Sequence, residues 1–557
     1  MLHKKIERRI KSILKNNFPN EYKFLSNELK VFACDNINLC DYSTNLYFLI
    51  SKIFKDKANS VWSLLKDKLE KTYYIQEINL DSGYINFFIN KKYFFDNFKE
   101  ILIDKHKLAN KNKGLNKKVI IEYVSANPTG PLHLGNSRGA VIGDFLAKAY
   151  KFFGYKVTKE YYVNDRGKQI DLLAKTFLYY LGKESDSEEL YKGNYIKEIC
   201  DRFKDQLEKL NFEQIKEFAY KYILNNMIKK TLVKFGTIFD NFYFESDLYK
   251  KNLDKKIFKF LKDKDFLYSK DGAIWLNLKK FGEEKDEVLI KSDGEPTYFF
   301  SDIIYNYEKF FIRKYDYSII IVASDHHDHI RRLQNTFENI FHISKNKFKF
   351  IEYQMVHIFS NSEKIKMSKR AGNYVELETM INEVGVQPIR FYFAKYSPEV
   401  TINFDVDLAK KENIKNQIWY ILYTYARFNS ILDKARKLNF KIDFKRNIKT
   451  NIGKAFIYLI NKEEYLKIFR FANQITYRLE ESLLNLKTNL FVNYLLKLCD
   501  LLNSFYEKEK IIEGESREIR FKILFVLYIV KLLDFMLAFL NIKPNKRLYK
   551  VINENSN

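Results

Sequence analysis

The stretch VIIEYVSANPTGPLHLGNSRGAVIGD, residues 119–144, constrains the fold of this chain more than any other. Its opening, Val119-Ile120-Ile121, is the apolar β-branched run of a strand buried on both faces of a parallel sheet. Turn-forming residues follow from Ser125 to Pro131, and then His133-Leu134-Gly135-Asn136. A helical pattern opens at Ser137, with Ala140, Val141, Gly143, Leu146, Ala147 and Tyr150. Strand, glycine-containing turn and helix put free backbone N–H groups and a positive dipole end where a nucleotide phosphate can sit. The stretch is neither GxGxxG nor a Walker A loop, so the usual nucleotide fingerprints do not apply.

The α/β pattern continues from this point. Strand 119–124, helix 137–153 and strand 155–163 make a βαβ unit, right-handed by default. Residues 167–240 are mostly helical, and strand signals return over 242–300, with an Asp293-Gly294 turn. We read an insertion over about 183–295. The second half resumes with SIIIVAS (318–324), a helix from about 326 and a strand at 351–359. After FDVDLA (404–409), apolar residues recur at threes and fours to the end, an all-helical block. Before residue 105, DYSTNLYFLISKIFKDKANSVWSLLKDKLEK (41–71) reads as amphipathic helix after a turn, and SGYINFFIN (82–90) alternates as a strand. The polar, basic stretch 105–118 has a linker's composition. The expected division is therefore 1–104, a linker 105–118, 119–403 and 404–557.

With 46% hydrophobic and 30% charged residues over 557 positions, the chain is a soluble globular protein of several domains. No apolar run of about 18 residues is present, so no membrane span is expected. The most apolar stretch, 523–542, contains Lys531 and Asp534 and reads as a buried helix. Four cysteines without a CxxC pair argue for a reducing compartment, the cytoplasm, and against zinc. The net charge of +26 invites a polyanion partner. Abundant Lys, Asn, Ile, Phe and Tyr are also what AT-rich coding produces, so charge supports RNA binding without establishing it. The basic N-terminus shares its helical spacing with transit peptides but contains Glu7 and lacks serine enrichment, and it reads as a first helix.

Residues 119–144 resemble the first ("HIGH") signature of class I aminoacyl-tRNA synthetases. With KEYYVNDRGKQI at 159–170, ANPTGPLHLGN resembles the bacterial-type arginyl-tRNA synthetases in particular. Lys366-Met367-Ser368-Lys369-Arg370 is similar to the second signature of the same class. The resemblance covers essentially the whole chain. It implies an α/β Rossmann-like class I synthetase catalytic domain, an N-terminal α+β accessory domain contacting the tRNA elbow and a C-terminal all-α anticodon-binding bundle. The implied reaction attaches L-arginine to tRNA(Arg) through an arginyl-adenylate, using ATP with Mg2+ and releasing AMP and pyrophosphate. Its partners would be tRNA(Arg), L-arginine and ATP, for a monomeric enzyme with no metal of its own.

Roles follow residue by residue from the resemblance. His133, Asn136, Lys366 and Lys369 are the expected catalytic residues. Gly135, His133, Asn136, Asp325, His326, Met367 and Ser368 are expected on ATP. The family's final His is Asn136 here, which can donate a hydrogen bond but not carry charge. Glu122, Ser125, Asn127, His133, Tyr298 and Asp302 are expected around arginine, whose guanidinium needs carboxylates in fork geometry. Asp302 alternatively caps a helix. The run Ala323 to His329, ASDHHDH, also invites a metal or DHH-phosphoesterase reading, but no further acidic DxD motif stands in the expected arrangement. Tyr423 and Arg427, four apart in YTYAR, are expected on anticodon bases, against the alternative of helix core. A non-catalytic RNA-binding paralogue is disfavoured because Lys366, Lys369, Glu122 and Asp302 are all present.

Overall fold

A computed structural model describes residues 1–104, 108, 113–324, 327–360, 363–364, 375–440 and 447–545. Its centre is a five-stranded sheet in the order Phe348–Tyr353, Tyr317–Ala323, Lys118–Glu122, Lys156–Val163, Asn241–Phe244. Every neighbouring pair is parallel. Val119, Ile120 and Ile121 are fully buried, which is why this strand shows no polar alternation. The helix Asn136–Phe152 carries the chain from Lys118–Glu122 to Lys156–Val163. Lys118–Glu122 and Tyr317–Ala323 lie side by side yet begin different halves of the fold. Connections leave them in opposite directions, so a crevice opens beyond their C-terminal ends.

The stretch read as an insertion is not a single excursion. Asn241–Phe244 pairs in parallel with Lys156–Val163 and forms the edge of the main sheet. The helices between, Lys168–Tyr180 through Lys229–Phe235, are a long crossover. Beyond that edge, Leu267–Lys270, Ala273–Leu276 and Glu287–Ile290 form a three-stranded antiparallel sheet. Its side chains share a separate core with Ile257 and Leu261, from the helix Leu253–Asp263, and with Phe299 and Phe300. The Asp293-Gly294 turn forms as expected, with Gly294 at φ +82° and its N–H donating to the Lys291 carbonyl.

The N-terminal region wraps a four-stranded sheet, in the order Val31–Ala33, Tyr42–Thr44, Tyr84–Ile89, Ile75–Asp81. Tyr42-Ser43-Thr44, expected as the turn before a helix, is a central strand instead, because an aromatic and a β-branched residue are buried there between two partners. Two helices follow it, Leu46–Phe54 and Ala58–Glu70. Beyond Asp405, every regular element among the described residues is a helix. In Ser516–Phe539 nearly every side chain from Ile523 to Leu537 is buried, and Lys531 donates to the carbonyl of Leu102.

This block also grips the N-terminal region. Arg470 pairs with Asp41 at 2.8 Å, Arg478 with Asp35 at 2.6 Å and His3 with Glu480 at 2.7 Å. Cys34 and Cys40 are joined in a disulfide, with Cα atoms 5.9 Å apart, because the loop between two adjacent strands folds back on itself. Cys200 and Cys499 are free and buried.

Candidate active site

The chain leaves Lys118–Glu122 through a strained corner. Val124 and Ser125 have φ of 69° and 35°, and a β-branched residue in the left-handed region is rare. Tyr123 immediately before them is fully buried, and its hydroxyl donates to Asp144 at 2.9 Å. The signature turn then closes on itself. The Asn136 side-chain oxygen accepts from the His133 backbone N–H at 3.0 Å, so part of this residue's work is to hold the turn. A Cβ on Gly135 would lie 3.0 Å from His133 Nδ1, so a larger residue here would push on the His133 ring. The turn is pinned on its other side to residues 375–377: Leu134 donates to Val375 and Leu377 to Leu132.

One turn into the helix, Arg138 is fully buried. Its guanidinium donates to the carbonyls of Gln354, Ser397, Pro398 and Val400. Burial lowers its pKa to about 10. Asp144, further along the helix, accepts from Tyr123, Thr237 and Asn541 and pairs with buried Arg390 at 2.9 Å. The helix after the signature turn is thus tied by buried polar groups to residues 354 and 397–400 and, through Asp144 and Asn541, to the C-terminal block.

Beside this corner lies a cavity of about 390 Å3. Glu122, Tyr298 and Asp302 line it, joined by Tyr162, Asn164, Glu245 and His329. Thr297, not Asp302, caps the helix Tyr298–Tyr307, its hydroxyl accepting from the Phe300 N–H. The capping alternative for Asp302 therefore falls. Its carboxylate instead accepts from His329 Nε2 at 2.6 Å. Glu122 faces the same space, but its charge is already met by Lys309, fully buried and 2.6 Å away. Burial pushes the Glu122 pKa up, and Lys309 opposes the shift. Glu245 is buried too, and burial together with the charge of Asp302 raises it to about 7. Once its amide is oriented to its surroundings, Asn164 donates to Glu245 at 2.7 Å.

Ser125 stands at the cavity's edge, its hydroxyl accepting from the Tyr162 N–H at 3.1 Å and 3.5 Å from Glu122. Asn127 lies outside the lining and donates to Gln169 at 2.6 Å. Asp325, His326, Lys366, Met367, Ser368 and Lys369 fall outside the described residues. Among the described residues, no group of three or more His, Cys, Asp or Glu is placed to hold a metal ion. Far from the cavity, Arg427 stacks between the rings of Tyr423 and Tyr506, 4.9 and 4.3 Å from their centres. Both Tyr423 and Arg427 are half-buried, whereas Leu422 and Tyr425 on either side of Tyr423 point into the core.

Reading the sequence missed Glu245, Lys309, Arg138 and His329. Glu245 sits in FYFESDLY with no motif to mark it, and Lys309 is one of many lysines. His329 carried a signal, the ASDHHDH run, but only the first members of that run match a signature of the class.

A parallel sheet whose switch point carries a His-x-Gly-Asn turn before a helix is the arrangement of a nucleotide-binding domain, and it fits the class I aminoacyl-tRNA synthetases. Comparison with known proteins narrows this. Residues 97–391 match the family model "tRNA synthetases class I (R), catalytic domain". Residues 2–89 match "Arginyl tRNA synthetase N terminal domain", and 421–548 match "DALR anticodon binding domain". The arginine–tRNA ligase of Thermotoga maritima is 35% identical over 496 residues, covering 86% of this chain and 88% of its own. That of Staphylococcus aureus is 31% identical over 490 residues, covering 85% and 86%. The arginyl-tRNA synthetase structure from Thermus thermophilus shares the fold with a TM-score of 0.75 at 18% identity, over 98% of this chain and all of that one. The chain belongs to the arginyl-tRNA synthetase family.

Proposed function

We propose that the enzyme joins L-arginine to tRNA(Arg) in two steps: the arginine carboxylate attacks the α-phosphate of ATP, releasing pyrophosphate, and the tRNA's terminal ribose hydroxyl then attacks the arginyl-adenylate, releasing AMP. One observation carries the amino-acid choice. The cavity beside the signature turn is lined by Glu122, Glu245 and Asp302, and its floor has the apolar Ile320 and Val322. Three carboxylates around an apolar slot suit a long side chain ending in a planar cation, and the fork of a guanidinium matches a carboxylate better than an ammonium does. Glu122 is compensated by Lys309, which leaves Asp302 and Glu245 as the groups that gain most from a cation.

ATP, with Mg2+ as its substrate partner, would lie along the crevice at the positive end of the helix Asn136–Phe152, whose first N–H groups already donate to the His133, Leu134 and Gly135 carbonyls, so the helix would act on phosphate through its dipole. His133 would donate to phosphate as charge develops, and Gly135 would admit the adenine close to the backbone. Asn136 would fix the turn and offer its amide. Asp325, His326, Lys366, Met367, Ser368 and Lys369 would complete the ATP site, the two lysines meeting the leaving pyrophosphate. The tRNA would be held in part by the Arg427–Tyr423 stack, whose aromatic face suits an unstacked base. ATP–pyrophosphate exchange, run with each amino acid in the presence of tRNA, tests the reading. Exchange with arginine is expected, and exchange driven by lysine instead would refute the assignment.

A further inference from the structure

We propose that His329 is a positioning residue of the arginine pocket: it holds the Asp302 carboxylate toward the cavity while neutral, and cancels that carboxylate's attraction for the substrate cation when protonated. The inference rests on the arginine-pocket reading above and deepens it. The helix His327–Asn339 turns His329 inward, while His327 and Asp328 on the same turn are largely exposed. His329 Nε2 lies 2.6 Å from Asp302 Oδ2, and the edge-on ring of Phe299, 5.3 Å between centres, fixes the plane of the imidazole. The contact engages Oδ2, so a guanidinium N–H would reach this carboxylate chiefly through Oδ1.

Charge decides the consequence. With a neutral imidazole donating its Nε2–H, the Asp302–His329 pair carries one negative charge. With an imidazolium it carries none, and the pull on a cation is lost. Burial works to lower the His329 pKa, but the hydrogen bond and charge of Asp302 outweigh it and the shift is upward. That moves its titration toward the working pH. The other charged groups facing this imidazole are Glu287 from the strand Glu287–Ile290 and Arg332 from its own helix, and those two pair with each other. Glu245 lines the same cavity from the turn after Asn241–Phe244, and Glu122 from Lys118–Glu122, the latter matched by Lys309. Glu245 titrates with the same sign, so the two groups must be separated by substitution.

The test is the KM for arginine in tRNA aminoacylation, measured from about pH 6 to about pH 8.5 for the wild type and for His329→Gln, Glu245→Gln and Asp302→Asn. Gln keeps a donor to Asp302 and removes the proton. In the wild type, KM is expected to rise as pH falls. In His329→Gln that rise should be shallower by up to about tenfold per pH unit, with Glu245→Gln removing the remainder. His329→Leu, which removes the donor as well, should raise KM at every pH more than it lowers kcat. A wild-type slope in His329→Gln, alongside a raised KM in Asp302→Asn, would overturn the role of His329 alone. An unchanged KM in Asp302→Asn would overturn the pocket reading, and this inference with it.

Discussion

In the proposed arginine pocket, Asp302 and Glu245 are the two carboxylates that would gain most from a bound guanidinium, and they differ in how they are held. Asp302 is held by a histidine at 2.6 Å, and Glu245 is buried with its pKa raised to about 7. Replacing Asp302 by Asn keeps the shape and removes the charge. A charged hydrogen bond is worth about 1.5–3 kcal/mol, so KM for arginine should rise roughly 10- to 150-fold, read by steady-state aminoacylation. Glu245 makes a separate forecast. Near neutral pH it is part protonated in the empty pocket, and a cation beside it favours the ionised form. Arginine binding at about pH 6.5 should therefore release protons, seen as a binding enthalpy that depends on the buffer's ionisation heat. In Glu245→Gln that dependence should shrink. Neither residue's setting was legible from the sequence alone: Asp302 was found through its motif, whereas Glu245 is brought in by a strand pairing that no local pattern announces.

At the scale of elements, the helix Asn136–Phe152 is unusual in burying polar groups along its length. Arg138 alone satisfies four carbonyls from residues 354 and 397–400. Arg138→Lys keeps the charge but has no planar fork, so several buried carbonyls would lose their donor. Each costs about 1–3 kcal/mol when stranded, and the melting temperature should fall by several degrees. Differential scanning calorimetry reads this directly; a melting temperature within about a degree of wild type would mean that water replaces the guanidinium. The helix itself was plain in the sequence from its spacing, and so was the strand before it. What the spacing hid is that its polar positions are tethers. A buried arginine and a solvated one look alike in a sequence, because the difference lies in segments 216 and more residues away.

At the scale of the whole molecule, the N-terminal region is docked on the C-terminal helices by ion pairs and hydrogen bonds. The Glu480 pKa is held down to about 2: burial opposes ionisation, but the His3 hydrogen bond and Lys113 outweigh it. A depressed carboxylate stabilises the fold above its unfolded value of about 4.5 and loses that contribution as pH falls toward its folded one. The docking should therefore weaken between about pH 4.5 and pH 2, by roughly 2–3 kcal/mol at most. Glu480→Gln should lower the melting temperature at neutral pH and flatten its fall in acid. The same helical block offers the Tyr423–Arg427–Tyr506 stack. If it takes a base, Tyr423→Ala should weaken tRNA binding by about 1–3 kcal/mol and leave the salt slope nearly unchanged, since stacking releases few counterions. A flattened slope would instead assign this face to phosphate.

By itself the sequence determined the class of the fold and the family to which the chain belongs. Continuous apolar strands, a glycine turn before a helix and three-four periodicity are local patterns, and local backbone physics reads them without tertiary help. Only the tertiary structure decided which partner each carboxylate meets. It put Lys309 on Glu122 and His329 on Asp302, made an edge strand of Asn241–Phe244, and joined Cys34 to Cys40. Desolvation, ion pairing and strand pairing depend on residues distant in the chain, so a charge's partner is a property of the packed molecule.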